Sequence, residues 1–247
     1  MEAVFFPRHL AGLIILFTVL TGAAYWAILV IGVKGEAGGP GHGVAMKTKL
    51  ALLLAGWYGL AYLVVSKGLR EPNVTTFGVP NVAVAIVLPV VFGVTMLFRP
   101  GFSRNVDAVP VAWFAGFHAL RALFGIFFLA IYEMGALPAA VALDGGFGDI
   151  AAGVFGALAA FLIVLEARPA VTRTALAVFS VVGLLDFAIV IYLALTTLDP
   201  NAPFAAFYPF MLIPAFVVPL FMLTHVYVLR AMMRELRVQR RHSPIGG

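Results

Sequence analysis

The chain has 247 residues, 63% of them hydrophobic and 11% charged, whereas an ordinary soluble domain carries about 25% charged residues. With a mean hydropathy of +1.06 and apolar runs of spanning length, it is built for a bilayer, which excludes a soluble enzyme, a disordered chain and a secreted disulfide scaffold. The absence of cysteine removes thiolate nucleophiles, Cys-ligated zinc and iron–sulfur clusters, and the net charge of +5 matters through where Lys and Arg fall, not as a nucleic-acid signal.

The hydropathy pattern predicts an all-α polytopic membrane protein, a single domain over residues 1–247. Seven transmembrane helices are expected at residues 10–33, 50–66, 78–98, 109–132, 149–165, 174–198 and 207–229. Runs this long without period-2 alternation satisfy their backbone as helices and not as barrel strands. The first run exceeds the roughly 7–15 apolar residues of a secretory signal and is expected to remain as an uncleaved helix. Linker punctuation follows it at Gly35, Gly38, Gly39, Pro40 and Gly41, and later at Pro72, Pro100, Gly101, Pro200 and Pro203. Pro89 and Gly93 in the third span and Pro214 and Pro219 in the seventh are expected to bend their helices. In the fifth span, Ala152, Gly156 and Ala160, with Gly153 and Ala157 beside them, predict close helix contact.

Lys and Arg divide unevenly. Of the 16, twelve fall in loops one, three and five and the tail, three (Arg8, Lys67 and Arg70) fall on the opposite side, and Arg121 lies within a span. This bias predicts an external amino terminus and a cytoplasmic carboxyl terminus. The spans show no internal repeat, which disfavours the common inverted-repeat transporters.

Ionisable residues inside a span are costly and mark candidate sites. His118 and Arg121 lie in the fourth span, Asp186 in the sixth and His225 in the seventh. Arg121 and Asp186 are each about 12 residues from the cytoplasmic ends of their helices, so they are matched in depth, opposite in sign and expected to pair. The pair is either structural glue or the border of a ligand or ion pathway. The two histidines, at comparable depth, suggest a proton relay or half a metal site, and alternatively a haem held between them. Glu133, Asp144, Asp149 and Asp199, without nearby basic residues, are expected to form an acidic outer mouth.

The segment Leu137–Ile150 predicts a short helix starting near Pro138 at the outer interface. A glycine turn then delivers Asp149 to the start of the fifth helix, where its carboxylate caps free amides. Gly146-Phe147-Gly148-Asp149 resembles the glycine-x-glycine-aspartate motif of intramembrane aspartyl proteases. Such a dyad would need Asp186 as partner, and the expected depths set the two at least about 10 Å apart. No lysine follows Lys67, which excludes a retinal Schiff base in the seventh span. No catalytic metal or nucleophile motif is present.

Through Leu137–Gly153, Leu184-Leu185-Asp186 and the tract from Leu212-Ile213-Pro214 to His225, the carboxyl-terminal half resembles functionally uncharacterised bacterial multi-span membrane proteins. The resemblance implies a bacterial inner-membrane setting and no particular reaction. The expected function is a buried polar site of His118, Arg121, Asp186 and His225 that binds or moves a small molecule, ion or proton. The alternatives are a haem-linked protein and a non-catalytic subunit of a larger complex. Expected partners are membrane lipid and other membrane chains, a second copy included, and not nucleic acid.

Overall fold

In hydrocarbon a chain can satisfy its peptide groups only within itself, and this one does so almost entirely as helix. A computed structural model describes residues 8–33, 40–67, 75–76, 79–135, 137–197 and 209–242. The helices are α1 (Arg8–Ile31), α2 (Pro40–Lys67), α3 (Asn81–Met96), α4 (Pro100–Ala108), α5 (Val111–Phe117), α6 (Ala119–Glu133), α7 (Gly145–Val164), α8 (Pro169–Thr197) and α9 (Val218–His242). A two-residue antiparallel bridge, Thr75 to Pro80 and Thr76 to Val79, precedes α3. Two π-helical turns, Ala140–Asp144 and Ile213–Val217, lead directly into α7 and α9.

Six described helices are long and apolar enough to cross a membrane: Leu10–Ile31, Gly43–Val65, Val111–Glu133, Ala140–Val164, Pro169–Leu193 and Ile213–Arg237. The third expected span is different, because α3 and α4 meet at 94°. The cause is local. Arg99 is extended (φ −86°, ψ 117°) ahead of Pro100 at the first turn of α4, since proline crowds a helical conformation out of the residue before it. α3 alone has 16 residues, about 24 Å of helix. The count is therefore seven only if this bent pair serves as one span.

Across the fourth span the helix tightens at His118. Its amide bonds to the Ala115 carbonyl at 3.1 Å, and its own carbonyl receives the Arg121 amide at 2.8 Å. These i to i−3 links separate α5 from α6 without ending the span. Pro214 sits inside the second π-helical turn and Pro219 follows it in α9, so the proline effect takes the form of a widened turn.

The core gathers around α7, which packs on α5, α6 and α8, while α9 packs on α3, α5 and α8. Glycines set the α7 approach. A methyl group on Gly153 would come within 2.8 Å of the Ala122 amide nitrogen, and one on Gly156 within 2.7 Å of the Ala115 carbonyl oxygen. Bare backbone at these positions lets dispersion contacts replace the hydrophobic drive that lipid does not supply between helices. At one end of the bundle Arg230 clasps Asp107 through Nε and Nη2, at 2.9 and 3.0 Å, and also donates to Ser103 Oγ at 2.7 Å. Arg234 adds a contact to Asp107 at 2.7 Å. This fork ties α4 to α9.

Candidate functional site: a buried arginine, two carboxylates and two histidines

Arg121 projects from the first turns of α6 into the middle of the bundle and is fully buried. Its guanidinium is divided among three acceptors. Nε donates to Asp149 Oδ1 at 2.7 Å, Nη2 donates to Asp186 Oδ2, and Nη1 points at the Gly183 carbonyl at 3.4 Å. Its central carbon lies 3.9 Å from the centroid of the Phe187 ring, a cation–π contact. Asp149 and Asp186 are buried as well.

Two glycines make room for this arrangement. A side chain at Gly148 would collide with the Asp186 carboxylate, and one at Gly183 would collide with the His225 ring and approach Arg121 Nη1 to 3.1 Å. The second carboxylate on Arg121 departs from the expected outer mouth. Asp149 was expected to cap a helix start at the external edge, but the helix begins with the π-helical turn at Ala140 and runs on through Gly145, Gly146 and Gly148. Asp149 is nine residues beyond Ala140, about 13 Å along the axis, and reaches the level of Arg121. Of the other expected mouth residues, Glu133 and Asp144 are exposed and Asp199 lies outside the described residues.

Asp149 and Asp186 share one arginine and so lie at one level, not about 10 Å apart in depth as their positions in sequence imply. Even so, each carboxylate takes its own guanidinium donor, so the two are grouped by a cation and not by the common proton that such a dyad needs.

His118 and His225 are both fully buried, with ring centroids 4.2 Å apart. The Thr224 hydroxyl donates to the Phe221 carbonyl at 2.7 Å and meets His118 Nε2 at 2.7 Å. Its single hydrogen being committed, Thr224 accepts from Nε2–H, which fixes the His118 tautomer and leaves Nδ1 bare. Among the described residues neither nitrogen of His225 has a hydrogen-bond partner, and Ser180 Oγ on α8 is likewise buried and unpartnered. His225 stacks on Phe179 at 4.6 Å. The histidine rings are in contact, which leaves no room for a macrocycle between them in this arrangement. Among the described residues no three His, Asp or Glu side chains converge as a metal site would require.

The structure thus brings together all four residues of the expected site and adds Asp149. It also adds Gly148 and Gly183, whose role depends on contacts between helices, and seats His118 on Thr224. The same elements are the ones a family comparison covers. The sequence model of a domain of unknown function, DUF8737, matches residues 77–233. The chain belongs to that family. The DUF8737 segment runs from just before α3 to the middle of α9 and contains every residue of the buried cluster. No curated protein and no solved structure matches the chain.

Proposed function

We propose that the protein lies in the bacterial inner membrane, amino terminus outside and carboxyl terminus cytoplasmic, and that its buried cluster takes up and releases a proton as part of moving a small solute or the proton itself. One observation carries the reading: a fully buried arginine between two carboxylates, beside a histidine with no hydrogen-bond partner for either ring nitrogen among the described residues. Counted with both acids ionised and both imidazoles neutral, the cluster is one positive charge short of neutral. In a low-dielectric interior that deficit is costly, and a single proton on a carboxyl or on His225 removes it. The net charge then depends on whether a proton or cation is present, which is what a coupling site in a transporter requires. The contact between His118 and His225 gives such a proton a second place to reside.

The test is proton flux into proteoliposomes, followed with an entrapped pH-sensitive dye, for wild type, Arg121→Ala, Asp186→Ala and His225→Ala. Loss of flux in all three supports the reading. Wild-type flux in Arg121→Ala and Asp186→Ala would reduce the cluster to a structural brace.

A further inference from the structure

α9 is a wall between two compartments. Thr224 and His225 belong to the ionic cluster, whereas Leu223 and Tyr227 line a cavity of about 460 Å³ between α1, α2, α3, α4 and α9, open on the side where Leu52, Leu60 and Leu88 are exposed. Among the described residues, apart from the weakly polar thioether of Met96, the side chains lining it are hydrocarbon except at Tyr25, Tyr227 and Trp57. The Tyr25 and Tyr227 hydroxyls are 3.0 Å apart and both residues are buried. Two hydroxyls bring two hydrogens, and the contact between them uses one. Whichever tyrosine donates, the other keeps an O–H with no acceptor among the described residues. An O–H left unpaired in an apolar setting is unfavourable, and an acceptor entering the cavity would relieve it.

We propose that this cavity binds a lipid-soluble quinone-type molecule, whose ring carbonyl accepts the spare hydrogen of the Tyr25–Tyr227 pair. The volume suits a small-molecule site, which typically occupies about 300–1,000 Å³. Trp57, Phe92 and Phe102 in the walls offer faces and edges to a flat ring. Depth separates this ligand from an ordinary lipid ester. Tyr25 is six residues before the end of α1 at Ile31, about 9 Å inside the helix end, which is below the interfacial zone where glycerol esters sit. Nothing in this assignment depends on the ionic cluster transporting a proton.

The experiment uses the full chain in detergent micelles and a benzoquinone carrying a decyl tail. Binding is read from quenching of Trp57 fluorescence in a Trp26→Phe/Trp113→Phe background. Saturable quenching is expected. Replacing both tyrosines, Tyr25→Phe/Tyr227→Phe, should weaken binding about tenfold, the value of one neutral hydrogen bond. Either single Tyr→Phe variant retains one hydroxyl and most of the affinity. If the double variant does not fold, Gly56→Phe decides. A Cβ at Gly56 meets nothing within 4 Å and the residue lines the cavity, so the new ring fills the space and should abolish saturation. Quenching that stays linear, or a double variant with wild-type affinity, overturns the proposal. So does displacement of the quinone by an ester-linked lipid but not its ether-linked analogue, which would reassign the pocket to lipid esters.

Discussion

Replacing Arg121 with methionine keeps most of the side-chain volume and deletes the charge. Asp149 and Asp186 are then left facing each other with no cation, in a place where neither reaches water freely. Breaking a buried ion pair by removing one partner costs about 3–5 kcal/mol. For a chain of this size that corresponds to a fall in Tm of about 6–20 °C, at about 2–4 °C per kcal/mol. The loss should depend on pH. The orphaned carboxylates can shed their repulsion only by taking up protons, so the Tm deficit should be largest in alkaline buffer and shrink as pH falls. Adding Asp149→Asn and Asp186→Asn to Arg121→Met should restore most of the stability, because an uncharged interior of similar volume is about as stable as a paired one. The assay is thermal unfolding in mild detergent across pH for the single and triple variants. An Arg121→Met protein as stable as wild type at alkaline pH would refute the claim that both carboxylates rest on this guanidinium.

Four further outcomes follow from the geometry. Gly148→Ala and Gly183→Ala each push a methyl group into the Asp186 carboxylate or the His225 ring and should cost about 1–3 kcal/mol, while Gly56→Ala, inside α2 with open space around it, should leave Tm unchanged or raise it. Asp107→Asn loosens the fork between α4 and α9 and should cost about 1 kcal/mol or less, the pair being partly solvated. The Arg230 side chain beside Asp107 holds its carboxyl below the usual carboxylate range. The wild-type contribution of the fork is therefore fully present at neutral pH and is lost only as pH falls below the ordinary aspartate value, which a Tm titration of wild type against Asp107→Asn will trace. Because the chain has no cysteine, Glu133→Cys and Arg237→Cys give clean topology reporters, and an impermeant thiol reagent applied to intact cells should label the first and spare the second.

The helical spans were legible in composition because a bilayer leaves a chain almost no other option. The meeting of Arg121 and Asp186 was legible too, since depth along two helices is simple arithmetic and opposite charges in hydrocarbon have few other partners. Asp149 was not. Three glycines before it read as a turn, given that glycine disfavours helix interiors by about 1 kcal/mol each. Here they remain helical because tight packing depends on them: a methyl group on Gly125 would run into the Gly146 carbonyl, and one on Gly148 into Asp186. The α3–α4 break was half visible, marked by Pro100 but hidden by an apolar stretch that continues to Phe98. That the His225 nitrogens meet no hydrogen-bond partner among the described residues could not be read from sequence at all, because it depends on which side chains the neighbouring helices bring to the ring.

The π-helical turn at Ile213–Val217 adds a residue to one coil just ahead of α9, and such widened coils act as natural pivots. Beyond that pivot α9 behaves as a stiff rod carrying His225 on one flank and Tyr227 on the other. A rod turns as one body. Tyr227 and the imidazole ride on one helix, two residues apart, and neither flank can be displaced without carrying the other along.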